Sequence, residues 1–339
     1  MSSSHDSSDS KTVAIIGAGS WGTALAVAAA RNRHVVRLWA REAEVARTIQ
    51  HEHRNPIYLP DIALPENISA SDSFAEALND VSFALIVVPS HSMREVVRKV
   101  QPYLNSGSII VSATKGVENH SLMRMSEVTR DVLGYQPRFA VLSGPSFARE
   151  VAKGDPTAIV VASDDAETAF LVQRAMSSSV FRVYRNDDVV GVELGGAIKN
   201  VVAIGAGVVR GLGFGTNAVA AIITRGLAEM TRLALACGAR TETMAGLAGL
   251  GDLVLTCTGD LSRNRHVGIE LGKGRRLSEI VGEMREVAEG VKTTRAVYEL
   301  GQRLAIEMPI TASINALLYS DKPAVEAASE LMGRPLKRE

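Results

Sequence analysis

The glycine-rich segment GAGSWG, which begins at Gly17, constrains the fold of this chain more than any other feature. It directly follows an apolar run at residues 13–16, typical of a buried strand, and opens an Ala- and Leu-rich stretch at residues 21–31, typical of a helix. In that context Gly17 permits a tight turn, Gly19 lets the backbone approach a pyrophosphate, and Gly22 lets the helix pack closely on the strand. The helix N-terminus offers free N–H groups and a positive dipole end to the phosphates. The segment therefore predicts a dinucleotide-binding unit.

Strand-like runs alternate with helical stretches through the first half of the chain, which predicts a parallel sheet covered by helices on both faces. Strands are predicted at residues 13–16, 34–40, 83–88, 108–113, 139–142, 157–162 and 180–184, and helices at 21–31, 91–100, 122–133, from Glu42 and after Asp164. From residue 189 onward strands become few, and long Ala-, Leu- and Glu-rich stretches predict helices. We expect an α/β Rossmann-type dinucleotide-binding domain at residues 11–188, followed by an all-α substrate domain at residues 189–339. The Ser- and Asp-rich residues 1–10 are expected to be a disordered tail.

Composition excludes several classes of function. Lys plus Arg and Asp plus Glu each number 37, so the formal net charge is zero, and only 4% of residues are aromatic. Neither value suits a protein that coats nucleic acid. No apolar run approaches the length of a membrane span. Cys237 and Cys257 are too far apart in sequence for a CxxC pair, and the histidines show no metal-ligand spacing. We expect a cytoplasmic protein without a metal, a nucleic-acid partner or a membrane span.

The end of the second predicted strand bears on the choice of cofactor. A dinucleotide domain that uses NAD usually carries an Asp or Glu there, which binds the ribose 2′-OH. This chain has Arg41 at that position, and its first carboxylate, Glu42, comes one place later. Arg41 offers forked donors that match a 2′-phosphate, although a solvated cation at a helix start explains it equally well. The sequence therefore favours NADPH and leaves NADH possible.

Two lysines stand where a surface role explains them poorly. Lys115, in the segment ATKG, directly follows a predicted strand, at the sheet edge where ligands bind in open α/β folds. Lys199 lies in the apolar helical segment GGAIKN, and Gly195 and Gly196 precede it by four and three residues, hence on its own face. Small residues permit another surface to approach closely, and Lys199 then points at it. A snorkelling surface lysine is the simpler alternative for Lys199.

Two polar clusters follow in the helical half. Asp252 lies in the turn GLGDL, where it is either a helix N-cap or a carboxylate of a site. Thr256 then leads to the segment SRNR, in which Ser262, Arg263 and Asn264 combine forked donors with an amide. That grouping suits a phosphate, and an exposed polar loop is the alternative reading.

Six segments in this order and spacing resemble those of the bacterial-type NAD(P)-dependent glycerol-3-phosphate dehydrogenases: GAGSWG, ATKG, SGPSFA, GGAIKNV, GLGDL and SRNR. The resemblance extends from about residue 11 to residue 318. It implies reversible hydride transfer between NAD(P)H and dihydroxyacetone phosphate, which gives sn-glycerol 3-phosphate for phospholipid synthesis. It also implies a homodimer.

The resemblance further implies which residues form the site. The implied cofactor contacts are Gly17, Gly19, Ser20, Trp21, Gly22, Arg41, Lys115, Ala148, Arg263, Val287 and Glu289. The implied substrate contacts are Lys115, Gly144, Ser146, Lys199, Asn200, Asp252, Thr256, Ser262, Arg263 and Asn264.

Lys199 resembles the catalytic lysine of that family, and its chemistry suits the reaction. Negative charge develops on the ketone oxygen as hydride reaches the carbon, and an ammonium group stabilises that charge and donates a proton. We hypothesise that Asp252 holds the ammonium group in place. Two alternatives remain: a hydroxy-acid dehydrogenase of the same two-domain type, against which Arg263 and Asn264 argue, and a non-catalytic dinucleotide sensor, against which Lys199 argues.

Overall fold

The computed structural model describes residues 10–284, 288–336 and 338. Strands and helices alternate up to Asn186, as the sequence predicts. The elements of this part are β1 (Thr12–Ile16), α1 (Ser20–Arg31), β2 (Val35–Trp39), α2 (Ala43–Glu52), β3 (Arg54–Asn55), β4 (Leu59–Ala63), β5 (Ile68–Ser71), α3 (Phe74–Ala77), β6 (Phe83–Ile86), α4 (Met93–Val100), β7 (Ile109–Ser112), α5 (Met125–Leu133), β8 (Phe139–Ser143), α6 (Ala148–Lys153), β9 (Thr157–Ala162), α7 (Ala166–Met176) and β10 (Phe181–Asn186).

The main sheet has eight strands in the order β10-β9-β8-β7-β6-β1-β2-β5. Its two faces are buried separately because successive β1 side chains point to opposite sides. Val13 and Ile15 pack with α1, α2, α6 and α7, whereas Ala14 and Ile16 pack with α3, α4 and α5. The predicted layering, with helices on both faces, is confirmed.

The prediction of a wholly parallel sheet is wrong at one place, because β9 pairs antiparallel with β8. The connection from Ser143 to Thr157 contains only the six-residue helix α6. A parallel crossover needs a helix that returns along the whole sheet. Helix α6 instead packs beside α1 at one edge, so the chain re-enters the sheet from the edge that it has just left. β10 pairs parallel with β9 and runs in the same reversed direction.

The sequence does not predict the strands and the short helix between residues 54 and 77. This segment forms β5 at the edge of the main sheet, the short helix α3, and a separate antiparallel hairpin of β3 and β4. Its strands are short and polar, so they lack the apolar runs by which the other strands were predicted.

Helices make up the part of the chain after Asn186, and no strand follows within the residues that the structure describes. They are α8 (Val189–Gly211), α9 (Thr216–Ala236), α10 (Thr241–Ala245), α11 (Asp252–Thr258), α12 (Arg263–Gly272), α13 (Leu277–Glu283), α14 (Glu289–Arg303), α15 (Pro309–Tyr319) and α16 (Ala324–Met332). One π-helical turn, Leu247–Gly251, directly precedes α11. Among the described helices, α8 alone is long and apolar enough to cross a bilayer, yet 94% of its most apolar window is buried within the protein.

Helix α8 is the centre of the helical part, and α12 crosses it at very short range. Glycines on both helices make the crossing possible. A Cβ at Gly207 would lie 2.1 Å from the backbone oxygen of Arg265, and a Cβ at Gly268 would lie 2.0 Å from that of Ile204. Because the start of α12 carries the SRNR segment, this crossing fixes the distance between that segment and Lys199 on α8.

We predict that Gly268→Ala lowers the free energy of unfolding by about 1–3 kcal/mol, because the added methyl group forces the two helices apart. Gly282→Ala is the matched control: Gly282 lies in α13, and no atom lies within 4 Å of its Cβ position. There alanine should raise stability by about 0.5–1 kcal/mol through its better helix propensity. Urea denaturation of both variants measures this, and similar stabilities would show that the helices do not depend on the close crossing.

Candidate active site

The glycine loop between β1 and α1 has the geometry that a bound dinucleotide requires. Gly17 has φ +122°, and a Cβ there would lie 2.2 Å from the backbone oxygen of Val87. A Cβ at Gly22 would lie 1.8 Å from the backbone oxygen of Gly17. Any larger residue at position 22 would therefore prevent α1 from packing this closely on the glycine loop. At Gly19, by contrast, the Cβ position has no atom within 4 Å. Gly19 therefore leaves space for a ligand, and the residues present fit a pyrophosphate.

The start of α1 supports the same conclusion. Gly19 is its N-cap, and no side chain caps the first turn. The first N–H groups of a helix need partners outside it, and an anion can provide them. The indole Nε1 of Trp21 is also buried without a hydrogen-bond partner among the described residues.

The glycine loop opens into a cleft of about 710 Å³ between the α/β part and the helical part. Most of the site residues predicted from the sequence line this single cleft. They are Gly17, Gly19, Ser20, Trp21, Gly22, Arg41, Lys115, Ser146, Ala148, Lys199, Asn200, Thr256, Ser262, Arg263, Asn264 and Glu289.

Three predicted residues lie elsewhere. Gly144 lies just behind the wall, where its carbonyl accepts hydrogen bonds from Lys115 Nζ (3.2 Å) and Ser146 Oγ (2.9 Å). The carboxylate of Asp252 is 1% exposed and also lies behind the wall. Val287 lies outside the described residues.

A carboxylate joins the two lysines of the cleft. Lys199 Nζ donates to Asp252 Oδ1 (2.5 Å) and to Thr256 Oγ1 (2.8 Å). Lys115 Nζ donates to Asp252 Oδ2 (2.7 Å). Because an ammonium group has three N–H donors, Lys199 keeps one for a ligand in the cleft that it lines.

Gly195 and Gly196 explain how Lys199 reaches this position. A Cβ at Gly195 would lie 2.5 Å from the backbone oxygen of Ala248, and one at Gly196 would lie 2.6 Å from Ser143 Oγ. The small face of α8 thus lets the π-helical turn and the end of β8 approach. Lys199 lies at the point where these three elements converge. Its side chain is 8% exposed, so it is not a snorkelling surface lysine.

Burial determines the acidity of Lys199. Loss of hydration and the positive charge of Lys115 lower its pKa, Asp252 opposes both effects, and the resulting pKa is about 8. A lysine with this pKa is largely protonated at neutral pH and readily loses its proton a little above it. Proton donors and acceptors in catalysis need such a pKa.

Helix α12 forms the opposite wall. Ser262 is its N-cap, and Ser262 Oγ accepts from Arg265 N (3.2 Å). Asn264 Nδ2 donates to Asn200 Oδ1 (2.9 Å), which ties the start of α12 to α8 beside Lys199. Arg263 lines the cleft. Arg265 donates to Asp260 instead and does not line the cleft. A cation and a helix N-terminus together suit a phosphate group.

Arg41 lies at the other end of the cleft, after β2. Its side chain is 79% exposed, and its Nε and Nη2 both donate to Glu42 Oε1, at 2.8 and 2.5 Å. The two residues that bear on the choice of cofactor are therefore paired with each other.

One part of the cleft, the hairpin β3–β4, had no counterpart in the sequence prediction. The hairpin β3–β4 contributes residues 57–62 to the wall, and its only sequence signal is the pair of prolines in NPIYLP. Glu289, on the helical side, accepts from Ser90 Oγ (2.8 Å) and so joins the two halves of the protein across the cleft. Burial raises the pKa of Glu289, and its bonds with Ser90 oppose that shift.

No group of three or more metal-ligating side chains occurs among the described residues.

Comparison with known proteins agrees with this geometry. The family model described as NAD-dependent glycerol-3-phosphate dehydrogenase N-terminus matches residues 12–169, and that described as its C-terminus matches residues 188–329. The glycerol-3-phosphate dehydrogenase (NAD(P)+) of Koribacter versatilis is 54% identical over 95% of this chain and 97% of its own length. That of Geobacter sulfurreducens is 52% identical over 97% of this chain and 99% of its own. The crystal structure of glycerol-3-phosphate dehydrogenase from Coxiella burnetii superposes with a TM-score of 0.92 at 43% identity, covering 96% of this chain and 99% of that one. The chain therefore belongs to the NAD-dependent glycerol-3-phosphate dehydrogenase family.

Proposed function

We propose that this chain reduces dihydroxyacetone phosphate reversibly to sn-glycerol 3-phosphate with NADPH or NADH, and that Lys199 is its general acid and base. The observation that carries the proposal is the Lys199 ammonium group, which is buried and tied to Asp252 and Thr256 on the wall of the cleft into which the glycine loop opens. Membership of the family favours this reaction over a hydroxy-acid dehydrogenase and over a non-catalytic sensor.

The glycine loop would hold the pyrophosphate of the dinucleotide, with Gly19 giving access and α1 giving N–H donors. Trp21, Lys115, Ala148, Arg263 and Glu289 line the same cleft and would contact the rest of the cofactor. When bound, the dinucleotide supplies the hydride.

Lys199 would complete the reduction. As negative charge develops on the carbonyl oxygen, the remaining N–H of Lys199 donates to that oxygen and then transfers its proton. Lys115 stands on the other side of Asp252 and adds a second positive charge close to the same oxygen. Because Asp252 neutralises only one of the two ammonium groups, this end of the cleft favours an anion. In the reverse direction neutral Lys199 accepts the proton of the alcohol.

The substrate phosphate would bind at the start of α12. Arg263, Asn264 and the N-cap Ser262 meet there, and the Asn264–Asn200 hydrogen bond holds that group next to Lys199. Gly144 and Ser146 would position the glycerol part, since the Gly144 carbonyl accepts hydrogen bonds from both Lys115 Nζ and Ser146 Oγ. A three-carbon substrate would thus lie between a phosphate site and a proton donor.

We further propose that the product supplies phospholipid synthesis and that the protein works in the cytoplasm as a homodimer. Both cysteines are free thiols, as is usual in a reducing compartment. Membership of the family supports the proposed assembly and metabolic role.

Lys199→Met should lower kcat by about two to four powers of ten, the usual contribution of a placed acid. The affinity for NADPH should hardly change, because most of the proposed cofactor contacts lie in the α/β part. Steady-state kinetics with dihydroxyacetone phosphate and a direct NADPH titration measure the two effects. A variant that retains more than about half of the wild-type kcat would exclude Lys199 as the proton donor.

Arg263→Ala should weaken the binding of dihydroxyacetone phosphate by about 1.5–3 kcal/mol, the range for hydrogen bonds to charged groups. Dihydroxyacetone, which lacks the phosphate, should be affected much less. Arg265→Ala is the matched control, since Arg265 lies on the same helix but pairs with Asp260 outside the cleft. Equal losses with both substrates would contradict the proposed phosphate site.

Arg41→Glu should reduce kcat/KM for NADPH far more than for NADH, because it replaces an attractive charge by a repulsive one near the 2′-phosphate. Glu42→Gln should act in the opposite sense, because it frees the Arg41 guanidinium from its present partner. The NADPH/NADH ratio of kcat/KM in the wild type and both variants tests this. An unchanged ratio in both would show that Arg41 does not face the 2′ position.

A further inference from the structure

The carboxamide of Asn55 connects three segments that form the dinucleotide end of the cleft. Asn55 is fully buried, at 0% exposure. Its Nδ2 donates to the carbonyl oxygen of Ala18 in the glycine loop (2.9 Å) and to Thr23 Oγ1 on α1 (2.8 Å). Its Oδ1 accepts from the backbone N–H of Tyr58 in the hairpin β3–β4 (3.2 Å). All the polar atoms of one buried side chain are thereby used.

The hydrogen bond to Ala18 fixes the direction of the peptide group between Ala18 and Gly19. A trans peptide is planar, and its C=O and N–H point in opposite directions. Because the Ala18 oxygen points at Asn55, the Gly19 N–H points away from it. Gly19 lines the cleft, and its Cβ position has no atom within 4 Å. Asn55 therefore orients a backbone donor that would face a bound pyrophosphate.

The same side chain also holds one wall of the cleft in place. Asn55 Oδ1 fixes Tyr58 from one side, and Ser20 Oγ donates to the Tyr58 carbonyl from the other (2.8 Å). In the middle of β4, Asp61 forms an ion pair with Arg149 of α6. The hairpin is thus bound to the glycine loop at its turn and to α6 through β4. Its cleft-facing residues keep a fixed distance from the glycine loop.

Asn32 also supports α1 through side-chain hydrogen bonds, but it lies away from the cleft and serves as a comparison for Asn55. Asn32, at the C-terminal end of this helix, donates from Nδ2 to the carbonyl oxygens of Ala175 (2.9 Å) and Ser177 (3.0 Å). It ties α1 to a neighbouring segment with the same chemistry and does not line the cleft. Asn55 differs in that its partners are the glycine loop and the cleft wall.

We propose that Asn55 is a positioning residue for the dinucleotide: it orients the Ala18–Gly19 peptide toward the pyrophosphate and docks the hairpin β3–β4 beside it. The inference rests on the proposed function, which puts the pyrophosphate on the glycine loop. Asn55 acts through Gly19 and Tyr58 and makes no contact with the substrate end of the cleft.

A binding titration without substrate tests this. The only two tryptophans of the chain, Trp21 and Trp39, both line the cleft, so their fluorescence reports NADPH binding directly. Asn55→Ala should raise the Kd for NADPH by about 10- to 100-fold, because the Gly19 N–H is no longer directed at the pyrophosphate and the hairpin β3–β4 is no longer held beside it. Asn32→Ala should bind within about two-fold of the wild type, although both variants lose stability in urea. For Asn55→Ala, kcat at saturating NADPH and the KM for dihydroxyacetone phosphate should stay close to wild type.

Gly19→Val separates failure of this inference from failure of the proposed function. The backbone of Gly19, with φ −69° and ψ 178°, accepts any residue, and the valine would occupy the space meant for the pyrophosphate. Wild-type affinity in Gly19→Val would overturn the proposed pyrophosphate site, and this inference with it. If Gly19→Val loses binding but Asn55→Ala binds within about two-fold of wild type, only the role of Asn55 is wrong.

Two further results are decisive. Equal losses of NADPH affinity in Asn55→Ala and Asn32→Ala would show that Asn55 only stabilises α1, and would overturn the proposal.

If Asn55→Ala does not fold, Thr23→Val decides instead. It removes the hydroxyl that links Asn55 to α1 without changing the volume much, and should weaken NADPH binding by about 3- to 10-fold. Unchanged affinity in Thr23→Val would overturn the proposal.

Discussion

The carboxylate of Asp252 lies between the ammonium groups of Lys115 and Lys199, and the arrangement of the proposed catalytic end of the cleft depends on this contact. Two ammonium groups that contact the same carboxylate repel each other, and burial adds to the free-energy cost of protonating Lys199. A shared carboxylate offsets both effects, so that Lys199 keeps its proton at neutral pH while its pKa is lowered to about 8. The three groups come from three different segments: the loop after β7, the middle of α8 and the start of α11. The site therefore exists only when both halves of the protein are assembled.

Close backbone packing makes that assembly possible. Gly195 and Gly196 let α8 approach the π-helical turn and the end of β8, and the glycines of the α8–α12 crossing bring the start of α12, the proposed phosphate site, to the same helix. Glu289 and Ser90 connect the two halves across the cleft. The positions of Lys199 and of the proposed phosphate site thus both depend on the close packing around α8.

The sequence predicts the parts of this structure that leave a local signal. Apolar runs mark the central strands, and the glycine spacing marks the dinucleotide loop. A lysine in an apolar helix marks Lys199. The sequence does not predict the reversed direction of β9 and β10. That direction depends on where α6 packs and not on the composition of the two strands. Nor did it predict the hairpin β3–β4, whose function depends on Asn55 and on contacts to residues more than thirty positions away. Nor does the sequence reveal that Arg41 pairs with its neighbour Glu42, because adjacent residues of opposite charge can each face the cofactor instead.

The pH dependence of kcat/KM in both directions tests the central claim, that the proton of the reaction is held by Lys199. The account predicts that ketone reduction falls as pH rises through about 8, where Lys199 loses its proton, and that alcohol oxidation rises through the same range. In Lys199→Arg both inflections should disappear from the remaining activity, because a guanidinium does not titrate there. Inflections near pH 8 that persist in Lys199→Arg, or that have the same sign in both directions, would contradict the account.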